Sequence, residues 1–165
     1  MESSAILAEI PRLRRYARAM LGDRAAADDL VQDTLERAWS RLHQWRAGSD
    51  MRAWLFGIMH NLRIDQLRRP RLPTHSIEDD FDMPTRATQT DGLELMELET
   101  ALNHLPDEQR EVLLLVALEE LSYADIAATL SIPIGTVMSR LSRGRERLRL
   151  IMNGEHAAAR LRVVK

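Results

Sequence analysis

Residues 121–149 read LSYADIAATLSIPIGTVMSRLSRGRERLR, and this stretch decides the fold of the second half of the chain. Ser122 to Leu130 is long enough for one short helix, Ser131-Ile132 can form a tight turn, and Pro133 is tolerated in the first turn of the next helix. Two short helices joined by a tight turn predict a helix-turn-helix.

The helix that follows Pro133 has two chemically different sides. A helix that enters the major groove of DNA needs one side that packs and one side that faces the DNA. On the side facing DNA, Arg binds guanine edges or phosphates, and Ser or Thr bonds to either. The alternative interpretation is a solvated, Arg-rich helix. The side predicted to pack comprises Ile134, Val137, Leu141 and Leu148. The polar side, within an arc of roughly 100°, comprises Thr136, Ser139, Arg140, Arg143 and Arg147.

Apolar residues elsewhere also follow helical rather than strand periodicity, so the predicted fold class is all-α. Ser49 or Asp50 can cap the third predicted helix, and Asp107 can cap the fifth. Trp39 and Trp54 are expected to lie in the core. The helices predicted before the helix-turn-helix are Ile6 to Leu21, Ala25 to Trp45, about Met51 to Arg69, about Leu93 to Leu105, and a segment after Pro106 that carries Val112 to Leu118.

A segment between the two helical blocks lacks a sustained apolar period. It contains Pro70, Pro73 and Pro84 beside a cluster of acidic residues, a composition typical of a linker. The sequence therefore predicts two small helical domains joined by a flexible acidic linker, with the helix-turn-helix in the second domain. The predicted ranges are 1–70 for the first domain, 71–94 for the linker, 95–155 for the second domain and 156–165 for a basic C-terminal tail.

Composition limits the classes of function. The chain of 165 residues has no cysteine, which excludes disulfides and thiolate metal sites. The sequence offers no paired carboxylates, phosphate-binding glycine loop or nucleophile and base set, so we expect no enzyme, no metal, no cofactor and no small-molecule substrate. His60 has no second ligand at metal spacing and is expected to be structural or DNA-facing. No run approaches the roughly 20 apolar residues that span a bilayer, so we expect a cytoplasmic protein without membrane insertion.

Four stretches resemble, in the same order, the functional regions of bacterial RNA polymerase sigma factors of the extracytoplasmic-function (ECF) group within the sigma-70 family. In region two, the polymerase-docking helix is similar to residues 27–39, ADDLVQDTLERAW. The promoter-melting helix of the same region is similar to residues 51–69, MRAWLFGIMHNLRIDQLRR. The promoter-binding helix-turn-helix of region four is similar to residues 121–149. The segment that leads into it is similar to residues 105–130, LPDEQREVLLLVALEELSYADIAATL. The resemblance implies a sigma factor that directs core polymerase to promoters by recognising minus-35 and minus-ten elements and aiding strand opening.

Carried over position by position, the resemblance implies three sets of site residues. The set that grips the coiled coil of the polymerase beta-prime subunit is Asp28, Asp29, Leu30, Gln32, Asp33 and Arg37. The set that contacts the minus-ten element is Trp45, Arg46, Ser49, Asp50, Arg52, Asn61, Arg63, Arg68 and Arg69. The set that contacts the minus-35 element is Thr136, Ser139, Arg140, Arg143 and Arg147. The chain departs from the family at Met138, where a basic residue is common, and at Gly144, where alanine is usual.

The resemblance also implies partners. They are core RNA polymerase, through its beta-prime and beta subunits, promoter DNA, and an anti-sigma factor that holds the chain inactive. The acidic linker is implied to thread through polymerase channels that otherwise hold nucleic acid. Two alternatives stay open: a sigma-like decoy that binds an anti-sigma protein without binding promoters, and a stand-alone helix-turn-helix transcription regulator that acts as a dimer.

Overall fold

The computed structural model describes residues 2–69 and 89–163, and all regular structure in these ranges is helical, which confirms the predicted fold class. Residues 70–88, which carry most of the predicted linker, lie outside the described residues. The backbone of the last helix extends into the predicted C-terminal tail. The α-helices are α1 (Glu2–Leu21), α2 (Arg24–Ser40), α3 (Met51–Arg68), α4 (Gln89–Asn103), α5 (Asp107–Ala117), α6 (Tyr123–Leu130) and α7 (Ile134–Val163), and Leu42–Gln44 forms a short 3-10 helix.

The first three helices pack against one another around a shared apolar core. Asp23 caps α2, because its carboxylate accepts a hydrogen bond at 3.1 Å from the backbone N–H two residues on. Asp50, one of the two caps that the sequence predicted for α3, acts in the same way by accepting from the Arg52 N–H at 3.0 Å. Tyr16 and Phe56 meet edge to face in this core, with ring centroids 4.9 Å apart. The acidic side of α2 is left facing solvent.

In the second half, α5 and α6 both pack on α7. Ser122 caps α6, since its hydroxyl accepts a hydrogen bond from the Asp125 N–H at 3.1 Å. The helix ends at Ser131, whose φ of 56° is left-handed, and the Ile132 N–H then donates to the Ala127 carbonyl at 3.0 Å. This tight turn confirms the predicted helix-turn-helix, formed by α6 and α7.

Helices α5 and α7 approach each other closely at Gly144. A Cβ atom on Gly144 would lie 3.4 Å from the Cβ of Gln109 and 3.5 Å from Leu113 Cδ1, so it would already be in van der Waals contact. Glycine in a helix interior costs about 0.5–1 kcal/mol relative to alanine. The space beside Gly144 accommodates the Cβ of alanine, so nothing in the structure explains the glycine at this position.

The two halves of the described chain also pack directly against each other, which the sequence did not predict. Helix α1 contacts α4 and α5, helix α3 contacts α6, and buried residues of both halves form one continuous cluster. Arg12 and Arg15 of α1 reach the Glu119 carboxylate at 3.8 and 3.5 Å. Arg110 donates a hydrogen bond to the Met20 carbonyl at the end of α1. Both apolar and charged groups therefore hold the halves together.

Three predicted placements are wrong. Helix α2 ends at Ser40, earlier than predicted, because the chain passes into the short 3-10 helix. Trp39 is 41% exposed instead of lying in the core, since the buried side of α2 is occupied by smaller residues up to Ala38. Asp107 is the first residue of α5 and not its cap, which is Pro106 without a side-chain hydrogen bond.

The buried carboxyl group of Glu119 leads to a prediction about stability and pH. Burial raises its pKa above the ordinary value of 4.5, and the attraction of Arg15 opposes this only in part. The folded state therefore holds the proton more tightly than the unfolded state, so the associated stability is full below about pH 4.5 and is lost as the pH rises through the folded-state pKa. We expect Glu119→Gln, which resembles the protonated acid, to raise the free energy of unfolding at pH 7 and to give little gain at pH 4.

Urea unfolding of both proteins between pH 4 and pH 7 measures this difference. The exposed neighbour Glu120 provides the control, because Glu120→Gln removes the same charge from the surface and should give no comparable gain. A variant at position 119 that is less stable than the wild type at pH 7 would show that the two arginines outweigh the cost of burial.

Candidate functional site

The exposed side of α2 is acidic. Asp29, Gln32, Asp33 and Glu36 are all exposed, and their spacing of three and four residues places them on one face of the helix. Three of these belong to the predicted docking set. Sequence reasoning left out Glu36, although the same spacing would have included it. A groove beside this face, between α2 and α3, is lined by Asp33, Glu36, Arg37, Ser40, Arg41, Leu62, Asp65, Gln66 and Arg69.

The other predicted docking residues have different surroundings. Asp28 is exposed and forms an ion pair with Arg18 of α1 at 3.6 Å. Arg37 is half-buried, with its guanidinium 3.9 Å from Asp65 of α3. Leu30 is only 1% exposed and lies in the core on the opposite side of α2. Leu30 therefore supports the acidic face from within, and its side chain is not part of the surface.

The loop before α3 is held by local hydrogen bonds. The Ser49 hydroxyl donates to the Arg46 carbonyl at 2.6 Å, and Asp50 caps the following helix. Both Ser49 and Arg46 are exposed. Trp45 is half-buried against the core, and its indole N–H is buried with no hydrogen-bond partner among the described residues. The loop thus presents polar and basic groups to solvent and also carries a half-buried indole ring.

The remaining residues of the minus-ten set lie on α3 and differ in how free their side chains are. Asn61, Arg68 and Arg69 are exposed. Arg52 is half-buried and pairs with Glu9 of α1, with Nε and Oε2 3.4 Å apart. Arg63 turns towards the second half of the chain, where it donates two hydrogen bonds to a carboxylate of α5. The structure therefore leaves only part of this set free to bind another molecule.

Helix α7 carries the minus-35 set on its outer side. Arg143 and Arg147 are exposed, whereas Arg140 is partly buried and lies 3.8 Å from Glu108 of α5. Thr136 is half-buried, and its carbonyl accepts a hydrogen bond at 3.2 Å from the hydroxyl of the exposed Ser139. These residues share one side of the helix, as the spacing predicted.

The predicted packing side of α7 needs one correction. Val137 and Leu141 are buried and Leu148 packs against the core, but Ile134 is 46% exposed. Ile134 is the first residue of α7. Met138, which replaces the basic residue common in the family, is also exposed.

The described residues contain no group of three His, Asp or Glu side chains that could hold a metal ion. Within residues 2–69 and 89–163, no helix combines the length and apolar character required to cross a bilayer. The described surface presents charged and polar groups in three places: an acidic face on α2, a basic face on α7, and a polar loop before α3.

Comparison with known families matches both halves of the chain. Residues 6–60 match the model described as the Sigma2 domain of PhyR, and residues 95–148 match the model described as Sigma-70, region 4. The two matches follow the order of the docking and helix-turn-helix segments along the chain.

Two solved structures have the same fold. The sigma factor RpoE of Bartonella quintana, in complex with the anti-sigma factor NepR, is 32% identical with a TM-score of 0.74, over 92% of this chain and 96% of that chain. CnrH in complex with the cytosolic domain of CnrY is 27% identical with a TM-score of 0.69, over 92% and 87% of the two chains.

Curated relatives carry the same family name. The ECF RNA polymerase sigma factor EcfG of Rhodopseudomonas palustris is 38% identical over 149 residues, which cover 89% of this chain and 82% of the relative. The ECF sigma factor SigW of Bacillus subtilis is 30% identical over 151 residues, covering 79% and 77%. Because identity at this level extends over both halves and most of each relative, the chain belongs to the extracytoplasmic-function group of RNA polymerase sigma factors.

Proposed function

We propose that this sigma factor docks on core RNA polymerase through the acidic face of α2, reads the minus-35 element with α7, and contacts the minus-ten element with the loop before α3 and with α3 itself. The observation that carries the proposal is the geometry of α7. It follows a tight turn, buries Val137 and Leu141, and leaves Arg143 and Arg147 exposed on the other side. A helix that enters the major groove needs this division.

The acidic face of α2 supports a contact to a basic protein surface. Its exposed carboxylates belong to the first half of the chain, whereas the helix-turn-helix belongs to the second half. Polymerase and the minus-35 element can therefore be bound at the same time. Complementary charge steers two proteins into register. We assign the beta-prime coiled coil as the partner of this face, with the beta subunit contacting the second half.

The loop before α3 supports capture of an unpaired base. The half-buried indole of Trp45 belongs to the same loop as the exposed Arg46 and Ser49, and single strands are bound by basic grooves with aromatic platforms. Trp45 would stack on the base, while Asn61, Arg68 and Arg69 would contact the backbone nearby. The site of action is the cytoplasm, where polymerase transcribes.

An anti-sigma factor is the proposed regulator. The sigma factor RpoE of Bartonella quintana was solved in complex with the anti-sigma factor NepR, and the match covers 92% of this chain. The likeness therefore extends across both halves at once. A protein that contacts both halves would stabilise the packed arrangement seen here and exclude polymerase.

A decoy that only binds anti-sigma factors is the second candidate, since residues 6–60 match a domain model named for PhyR. The solved PhyR structure, described as an anti-anti-sigma factor, is 18% identical to this chain, which shows the fold alone. The exposed arginines of α7 favour the sigma factor, because a protein that never binds promoters has no need of a basic recognition side.

Run-off transcription separates these candidates. Core polymerase with this chain would be supplied with a library of randomised promoters, and a sigma factor should yield transcripts that polymerase alone does not produce. A decoy would yield none, but would relieve the inhibition of another sigma factor by its anti-sigma protein. Absence of chain-dependent transcripts at any promoter would overturn the proposed function.

Recognition by α7 can be tested on a promoter selected in that assay. We expect Arg140→Ala or Arg143→Ala in the polymerase complex to cost about 1–3 kcal/mol of promoter binding and to relax preference at particular base pairs. Arg147→Ala should instead weaken binding evenly across sequences and reduce its salt dependence, because it lies nearer the phosphates. Titration against promoter variants at several salt concentrations measures both effects.

Arg145 provides the matched control. It is exposed on the same helix but lies about 200° around the axis from Arg143, so Arg145→Ala should leave base preference unchanged. If Arg140 and Arg143 can both be replaced without loss, the side of α7 assigned to DNA is only a solvated surface.

A further inference from the structure

Two large apolar side chains at the start of α7 are exposed to solvent. Ile134 is 46% exposed and Met138 is 49% exposed. They are four residues apart, so they are neighbours on one side of the first two turns of the helix. The buried side of these turns is occupied by Val137 and Leu141 instead. Ile134 and Met138 together are called the apolar pair below.

The apolar pair adjoins a strip of small, uncharged residues. Three exposed residues follow Met138 around the helix within an arc of about 100°. They are Gly135, Ser139 and Ser142. Outside its own turn of helix, no described atom lies within 4 Å of the position that a Cβ on Gly135 would take. The start of α7 can therefore approach another surface closely along this strip.

Arginines lie on both sides of the strip. Arg143 and Arg147 follow beyond one edge and Arg145 beyond the other, and all three are exposed. A major groove has the phosphates of the two strands as its walls and the base edges between them. The arrangement fits a helix whose outer arginines reach the walls while the strip and the apolar pair face the bases.

The chemistry of the apolar pair selects one base. Thymine carries a methyl group in the major groove, and apolar side chains contact it there. A thioether chain and a methyl group both lose hydrated apolar surface when they meet, which is favourable. Methionine is also flexible enough to adapt to the position of the methyl group. The N-terminal residues of a helix in the groove are those that contact base edges, and Met138 lies among them.

We propose that Met138, supported by Ile134, is a specificity-determining residue that contacts the methyl group of a thymine in the minus-35 element. The departure from the basic residue common in the family is then a change from a polar to an apolar contact. The proposal deepens the proposed function and rests on it, since it takes α7 as the helix that enters the major groove.

The test removes single methyl groups from the promoter. In the minus-35 element of the promoter selected by run-off transcription, each thymine of either strand is replaced in turn by deoxyuracil, which lacks only the methyl group. At one thymine or two adjacent ones, binding by the wild-type chain with core polymerase should weaken about fourfold, the value of one buried methyl group. A selected element without any A·T pair would overturn the proposal at this step.

Variants of position 138 assign the effect to the methionine. Met138→Ala should bind the unmodified element at least about fourfold less tightly, and it should lose the response to deoxyuracil because the shortened side chain no longer reaches the methyl group. Met138→Leu keeps an apolar side chain of similar size and should retain the response. Because position 138 is exposed, both variants should fold as the wild type does, which circular dichroism checks.

Met96 provides a matched control. It is 52% exposed and lies on α4, outside the helix-turn-helix. Met96→Ala makes the same change of side chain, so it should leave both the affinity for the promoter and the response to deoxyuracil at wild-type values.

The outcomes separate this inference from the proposed function. If deoxyuracil at every thymine leaves wild-type binding unchanged, or if Met138→Ala keeps the full response, Met138 does not contact a thymine methyl group and the inference is refuted. Transcription by the wild-type chain from the selected promoter would stand in either case. Only the absence of chain-dependent transcripts would refute the proposed function.

Discussion

Replacing Arg110 with alanine is expected to lower the free energy of unfolding by about 3–5 kcal/mol, the range for leaving buried partners without their charge. The Arg110 side chain lies at the point where α1, α4 and α5 meet. Its Nε donates to the Leu102 carbonyl at 2.8 Å, and its Nη2 donates to the carbonyls of Leu105 and Asn103 at 2.7 and 3.1 Å. Its Nη1 donates to the Met20 carbonyl at the end of α1.

The Leu102 carbonyl also accepts a hydrogen bond from the Leu105 N–H at 3.1 Å, and the guanidinium additionally reaches the carbonyls of Leu105, Asn103 and Met20. The last four carbonyls of a helix lack partners within it, and α4 ends at Asn103. One guanidinium therefore closes the end of α4 and ties it to α1. Burial lowers the pKa of Arg110, and the nearby Asp107 opposes that shift, so the charge is retained at a cost in hydration. Alanine would leave several buried acceptors unpaired at once.

Urea unfolding of Arg110→Ala and Arg110→Lys measures this contribution. Lysine keeps the charge but lacks the planar fork of donors, so it should recover only part of the loss. The exposed Arg149, which pairs with Glu146 three residues earlier on α7, provides a control whose replacement by alanine should have little effect. Wild-type stability in Arg110→Ala would mean that water satisfies these carbonyls equally well.

Reversing the charge of the acidic face, by Asp29→Arg with Asp33→Arg, is expected to weaken binding to core polymerase by about 100-fold or more. Two repulsive contacts replace two attractive ones, and like charges brought together at an interface cost several kcal/mol. Both side chains are exposed, so helix content and thermal stability should stay close to those of the wild type. Fluorescence titration of labelled chain with core polymerase measures the affinity, and circular dichroism checks the fold.

A control with the same change in net charge uses the exposed acids Glu99 and Asp125 of the second half. Replacing both with arginine should weaken docking far less than reversal on α2. Glu36→Arg, added to the α2 variant, should weaken docking further, because Glu36 shares that face although sequence reasoning did not select it. If the double variant of α2 docks with wild-type affinity, the assignment of this face to polymerase is wrong.

The limits of sequence reasoning are visible at single residues. Asp50, one of the two caps predicted for α3, was predicted correctly, because a cap is a contact within one turn of chain. Trp39 was predicted to lie in the core because its side chain is large. Its position on α2, next to the buried Ala38, instead leaves it exposed. Leu30 was carried into the docking set by resemblance, although the structure buries it. In both cases the side of the helix, and not the residue type, decides exposure.

The sequence by itself determined the all-α class, the helix-turn-helix and the two-sided character of α7, because periodicity, caps and tight turns are short-range properties. Only the tertiary structure decided which arginines are free. Arg143 is exposed, while Arg63 is bound to Asp107, a residue 44 positions away. The position of Glu111 against His60 likewise results from packing between the halves. Such pairs depend on how separate helices meet, which no spacing along the chain encodes.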